Sequence, residues 1–229
     1  MENSLMAPSS DIKQHLKRLG YPILMVILYR CYEYVVILYR KNSFGITNVS
    51  IVNFFATLIL LASYVFILKH FQKELFHHWR VTKQQVMIAL LLFVCAQLLR
   101  LPIKSLINYG GTSSFQKELS FLSFVPLAQV LLILDYNVIG PILEELICRA
   151  GFMDAYFKNS RYYLDVLLSA SFFSAFHFIG YSWSWTAFIF YLIPGLALSM
   201  AYRYSKNIYV PIVMHIAWNS LADLWALIS

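Results

Sequence analysis

Charge is scarce in this sequence: Asp, Glu, Lys and Arg make up 13% of its 229 residues, about half the share usual in soluble globular domains. Hydrophobic residues reach 60% and aromatics 17%, with mean hydropathy +0.64. A soluble domain of this size has too much surface to hide that much apolar material. An ordinary soluble enzyme and a disordered tail are therefore excluded. Glycine is sparse too, at eight residues, and no repeat is visible, so collagen-like and coiled-coil fibres are excluded. Cysteine is limited to Cys31, Cys95 and Cys148. An odd number, far apart in apolar stretches, offers neither a disulfide framework nor a metal-ligand spacing. All three are expected to be small core residues. Acidic residues number 11 against 18 basic ones, a net charge of +7. The basic residues stand singly or in pairs between apolar runs (Lys17 and Arg18, Arg40 and Lys41, Lys69 and Lys73, Lys158 and Arg161). That is the pattern of anchors at a lipid surface, and no nucleic-acid partner is expected.

What the sequence has in abundance is long apolar runs, near 20–39, 51–68, 86–103, 121–139, 163–180, 185–202 and 208–228. About 20 residues carry a helix across ~30 Å of hydrocarbon, so most of these can span. Arg30 and Glu33 interrupt the first and share a helix face. A further helical segment, 141–157, carries charges that no lipid-facing span accepts and is expected inside the bundle. The fold class is all-α: a polytopic membrane bundle of seven or eight helices with a buried polar site. Residues 1–120 hold the amino-terminal spans and loops, and 121–229 the functional bundle, in one integral membrane domain. The first twenty residues are too polar for a signal-peptide core. Those residues and the loop 69–85 are basic, which puts both on the cytoplasmic side. Within that loop, adjacent His77 and His78 point about 100° apart on a helix, a poor metal clamp.

An ionisable group at mid-membrane costs about 2.5–3.5 kcal/mol on insertion scales, so each one is a functional candidate. They concentrate in the carboxyl half. In Gly140-Pro141-Ile142-Leu143-Glu144-Glu145-Leu146-Ile147-Cys148-Arg149, Pro141 suits the first turn of a helix after a break at 137–140. Glu145 and Arg149 stand at i,i+4 and pair on one face, leaving Glu144 to point elsewhere. Phe173-Ser174-Ala175-Phe176-His177 lies in the next apolar helix, and His215-Ile216-Ala217-Trp218-Asn219 in the last. His215 and Asn219 share a face by the same spacing. Three helices thus each bring polar groups to a common interior.

Glu-Glu-x-x-x-Arg, then Phe-x-x-x-His, then His-x-x-x-Asn, in that order on apolar helices, resembles the CPBP family of intramembrane proteins. That family, also called Abi, comprises CAAX-processing proteases and bacteriocin-processing or immunity proteins. The resemblance covers roughly residues 120–225. Where family members commonly have an aromatic residue before the arginine and glycine after it, Cys148 and Ala150 flank Arg149 here. The resemblance implies a glutamate-dependent intramembrane endopeptidase, CAAX endopeptidase-like, acting on a peptide or lipidated-protein substrate. Carried over, Glu144 is the base that activates water and His177 helps hold it. His215 and Asn219 donate to the carbonyl oxyanion, and Glu145 and Arg149 lock the motif helix.

Two histidines and a glutamate also suit zinc with an open fourth position. The zincin spacing of two histidines on one helix is absent, so no cofactor is expected. The alternative function is bacteriocin self-immunity, by binding a bacteriocin-related partner or by proteolysis. Composition and family point to a multi-pass protein of a bacterial plasma membrane. Asp135 reads as a turn or cap residue, and Asp223 as a support for the site one turn beyond Asn219. Arg203, Lys206 and the tryptophans 183, 185, 218 and 225 read as interfacial or packing residues. Pro194-Gly195 is expected to kink its span and widen a lateral entrance.

Overall fold

Backbone polar groups in lipid must be satisfied within the segment, so each long apolar run is driven into a helix. The computed structural model of the protein describes residues 9–41, 46–77, 80–104, 126–157, 159–178 and 183–228. Seven helices form among them: α1 (Ser9–Lys41), α2 (Ile46–Phe71), α3 (Lys83–Lys104), α4 (126–156), α5 (Leu164–Phe176), α6 (Trp185–Ser205) and α7 (Tyr209–Ile228). A 3₁₀ turn, Arg161–Tyr163, precedes α5, and the described residues contain no strand. Stretches in α1, α2, α3 and α6 are long and apolar enough to cross a membrane.

The distribution of side chains is the reverse of a soluble protein's. Phe66, Ile59, Met87 and Leu91 face outward, where lipid replaces water. Glu145, Arg149, Asp165, Ser169, Ser174 and Ser199 are fully buried. α4 is central to the bundle, touching α1, α2, α5 and α7. α3 packs on α6 and α7, and α5 lies along α6. Gly195 makes the last contact possible: a Cβ there would stand 3.0 Å from the Ala170 carbonyl oxygen and 3.1 Å from the Phe173 ring.

Several expectations are corrected. Segments 121–139 and 141–157 are not two helices but one, because the junction residues keep right-handed helical angles. The break expected at 137–140 is a π-helical turn, Asp135–Ile139, and a second one covers Leu146–Met153. The segment 163–180 is not a full span. α5 has 13 residues, about 20 Å of rise against ~30 Å of hydrocarbon. At its end His177 leaves the α-helical ladder and closes a shorter backbone bond to Ser174. Cys31 and Cys95 face outward and only Cys148 is buried, since the first two fall on lipid-facing stripes. Arg203 does more than anchor at an interface: it pairs with the fully buried carboxylate of Asp165 and donates to the Ser160 carbonyl at 3.3 Å. Trp218 is core, whereas Trp183 and Trp185 are exposed; the Trp225 side chain lies outside the described residues. His77 stands 3.8 Å from Glu74 on the surface, and His78 lies outside the described residues.

Candidate active site

The site is organised by the two π turns of α4. Each adds one residue to a turn and so rotates everything beyond it relative to the neighbouring helices. In the first, the Gly140 N–H reaches the Asp135 carbonyl, five residues back. Glycine fits because a Cβ would stand 3.1 Å from that oxygen. Under the same spacing the Tyr136 carbonyl would be served by residue 141, but Pro141 has no N–H. Asn219 Nδ2 of α7 donates to the Tyr136 carbonyl at 3.2 Å instead. One turn along α7, Asp223 accepts from Asn137 Nδ2 at 2.8 Å. Asp135 is not a cap: it is buried and accepts from Asn53 of α2, which also accepts from Tyr32 at 2.7 Å. The turn is thus pinned from α2 and α7 together.

Between the π turns, Gly140–Glu145 presents the two glutamates. Glu145 and Arg149 are both fully buried, with Oε2 and Nε 3.1 Å apart. The Nε–H is not aimed at that oxygen, so charge rather than a hydrogen bond holds the pair. The other Glu145 oxygen accepts from His215 Nδ1 at 2.9 Å. Arg149 donates to the Gly195 carbonyl at 3.2 Å and lies over the Phe173 ring. Glu145 therefore ties α7 to α4, a second partner that its i,i+4 spacing does not reveal.

Glu144 differs in every respect. Its side chain is 23% exposed, like that of His177 at 22%, while Glu145 and Arg149 are sealed. Its Oε2 has no hydrogen-bond partner. That oxygen stands 3.8 Å from His215 Nε2 and 4.0 Å from His177 Nε2. Both separations are too long for a direct hydrogen bond. Each gap is one that a single water about 2.8 Å from both atoms would bridge. Each imidazole is held by its other nitrogen, His215 by Glu145 and His177 by the Phe173 carbonyl at 2.9 Å. A carbonyl only accepts, so His177 carries its proton on Nδ1 and turns a lone pair at Nε2 toward Glu144. The His177 ring stacks on Tyr191 at 4.0 Å, and Phe173 meets His215 edge-on at 5.5 Å.

Glu144, Glu145, Arg149, His177 and His215 are thus brought together, with Asn219 beside them but bonded to the backbone of α4. Sequence reasoning misses Tyr191, whose ring-face contact leaves no pattern in an aromatic-rich span. It also passes over Arg100, although a charge inside an apolar run is the same signal that exposes Arg149. The separations around Glu144 are wider than those of a zinc-loaded site. Its ligands sit about 2.0–2.2 Å from the metal and about 3.3 Å from one another, closer than the 3.8 and 4.0 Å found here. Among the described residues no three His, Cys, Asp or Glu side chains are grouped for a metal ion.

Known proteins bear on the same half of the chain. Residues 126–221 match the family described as Type II CAAX prenyl endopeptidase Rce1-like. The UPF0177 protein YvdC of Lactococcus lactis subsp. lactis (strain IL1403) is 28% identical over 124 residues, 54% of this chain and 45% of that protein. The "Putative membrane peptidase YdiL" of Bacillus subtilis (strain 168) is 27% identical over 112 residues, 49% of this chain and 42% of that protein. The aligned stretch spans under half the length of either relative. No solved structure matches the chain. From α4 into α7, the chain carries the pattern of the Type II CAAX prenyl endopeptidase Rce1-like family.

Proposed function

We propose that this protein is an intramembrane endopeptidase of the CAAX-processing type, hydrolysing a peptide bond of a membrane-associated substrate in a bacterial cell membrane. The observation that carries the reading is the unpartnered Glu144 oxygen, buried on a partly exposed side chain and facing two imidazoles whose far nitrogens are already fixed. Water donates one hydrogen to Glu144 and the other to His177 Nε2. Glu144 takes a proton as the oxygen attacks the substrate carbonyl, and returns it to the leaving amine. His215 turns Nε2 toward the oxyanion. Asn219 supplies the second donor with the amide hydrogen that Tyr136 does not take. Each such donor is worth about 2.7–4 kcal/mol in other acyl-transfer sites. Glu145 and Arg149 act as positioning residues.

A self-immunity role by binding alone gives no reason for an unpartnered carboxylate oxygen between two oriented imidazoles. The deciding experiment is hydrolysis of membrane-partitioned peptides by the purified protein. Glu144→Gln is expected to remove activity by about 10²–10⁴-fold while leaving the melting temperature in place. Exhaustive chelation is expected to leave the rate unchanged. Loss on chelation with recovery in zinc would overturn the metal-free mechanism, and full activity in Glu144→Gln would overturn the assignment of the base.

A further inference from the structure

The charged pair in the first apolar run, Arg30 and Glu33, has no part in the constellation around Glu144. In α2, α3 and α6 the charges of the membrane-crossing stretch stand near its ends, as Lys69, Lys83, Arg100 and Arg203. In α1 they stand in the middle. Arg30 is eleven residues from Leu19 and nine from Tyr39, the limits of that stretch, or about 14–17 Å of helix from either end. That is too far for its side chain to snorkel to a headgroup. Half of the Arg30 side chain is nevertheless exposed on the outside of the bundle, and part of Glu33 with it. Arg30 Nη1 donates to Glu33 Oε2 at 2.5 Å. Among the described residues, Arg30 Nε and Nη2 and Glu33 Oε1 have no hydrogen-bond partner. Polar groups turned to hydrocarbon with that capacity unused are costly.

The surface around the pair has the spacing of a helix-packing face. Tyr29 and Tyr32 turn inward to Phe176 and Asn53, whereas Ile23, Ile27, Arg30, Tyr34 and Ile37 are exposed. The steps between those five alternate four and three residues, the rhythm by which two helices pack side by side at about 20°. Charge decides what covers this face. A parallel second copy brings its own Arg30 and Glu33 to the same depth, and the four groups close an alternating ring with like charges at opposite corners. Each guanidinium then turns its spare N–H groups to a second carboxylate. The face complements itself, as a two-fold interface requires. We propose that a second copy of this chain docks on this face of α1 within the membrane, with Arg30 of each copy paired to Glu33 of the partner subunit.

The test uses the full chain in phosphatidylcholine vesicles, with the dimer fraction counted by single-molecule photobleaching. Cys31 is a built-in reporter, since it faces outward beside Arg30, whereas Cys95 faces outward from α3. Oxidation with copper–phenanthroline is expected to link two copies through a disulfide that Cys31→Ser abolishes and Cys95→Ser leaves. Arg30→Glu and Glu33→Arg each give the face a single sign, and each is expected to weaken association about three- to thirtyfold. Differently tagged copies of these two variants, mixed before reconstitution, are expected to pair with each other at least as well as wild type pairs with itself. Replacing both residues together, Arg30→Leu with Glu33→Leu, is expected to leave a stable monomer, and it decides the matter if either single change fails to fold. A wild type that bleaches in one step throughout overturns the proposal and leaves the pair to a different transmembrane partner. So does a leucine double variant that dimerises like wild type, or a mixture of folded single variants that stays unpaired.

Discussion

Replacing Glu145 by alanine is expected to be among the most destabilising single changes in the chain. The carboxylate is fully buried and meets Arg149 Nε at 3.1 Å and His215 Nδ1 at 2.9 Å. Neither it nor Arg149 is exposed, so solvent does not screen the interaction. Removing one member of such a pair leaves an uncompensated charge in a dry interior, a loss of about 3–5 kcal/mol. At roughly 2–4 °C per kcal/mol for a chain of this size, Glu145→Ala is expected to melt about 6–20 °C below wild type. Arg149→Ala is expected to cost less, because the carboxylate it leaves behind still accepts from His215. In Glu145→Ala, Arg149 keeps only the Gly195 carbonyl and the Phe173 ring. The double variant removes both charges, so its loss should fall short of the sum by about 1–3 kcal/mol. Thermal unfolding of the four proteins in detergent, followed by tryptophan fluorescence, closes the cycle. Additive losses, or a Glu145→Ala protein as stable as wild type, would refute the buried-pair reasoning.

Gly195→Ala forces a methyl against the Ala170 carbonyl and the Phe173 ring. It should cost about 1–3 kcal/mol in stability and slow hydrolysis by shifting the carbonyl that holds His177; unchanged melting and rate would count against that close contact. Asn219→Leu should cost about 0.5–1.5 kcal/mol by removing its bond to the Tyr136 carbonyl. Pro141→Ala, which supplies a backbone N–H at that spacing, should recover part of the loss in the double variant, and the absence of recovery in thermal unfolding would refute the capping of this turn by Asn219. His177→Ala should lower kcat by about 10²-fold or more while melting near wild type, because its ring makes a backbone bond and stacking contacts but no buried ion pair; collapse of the fold would assign it to structure instead.

Much of the constellation around Glu144 is legible in the amino-acid sequence because its strongest signals are local. Glu145 and Arg149 are four residues apart, and one helical turn suffices to pair them. His177 and His215 are conspicuous because imidazoles are rare in apolar helices. What stays hidden depends on rotation about a helix axis. Asp135 looks like a turn residue because glycine and proline follow it, yet a π turn carries the helix straight past them and aims its carboxylate at Asn53. Arg203 looks like a surface anchor because it ends a span, yet the short turn before α5 brings the buried Asp165 under it. Arg100 is passed over because an arginine near a span's end ordinarily reaches headgroups.

By itself the sequence determined the solvent, the all-helical fold class and the order of the polar residues along the chain. Hydropathy acts over a single span, and a backbone in lipid has few conformations open to it. Only the tertiary structure decided what else the two glutamates meet, because the contact of Glu145 with His215 joins α4 to α7, 70 residues apart. Those contacts are set by one-residue insertions in α4 that leave the apolar pattern intact while turning Glu145 to His215 and Glu144 to the gap between two imidazoles.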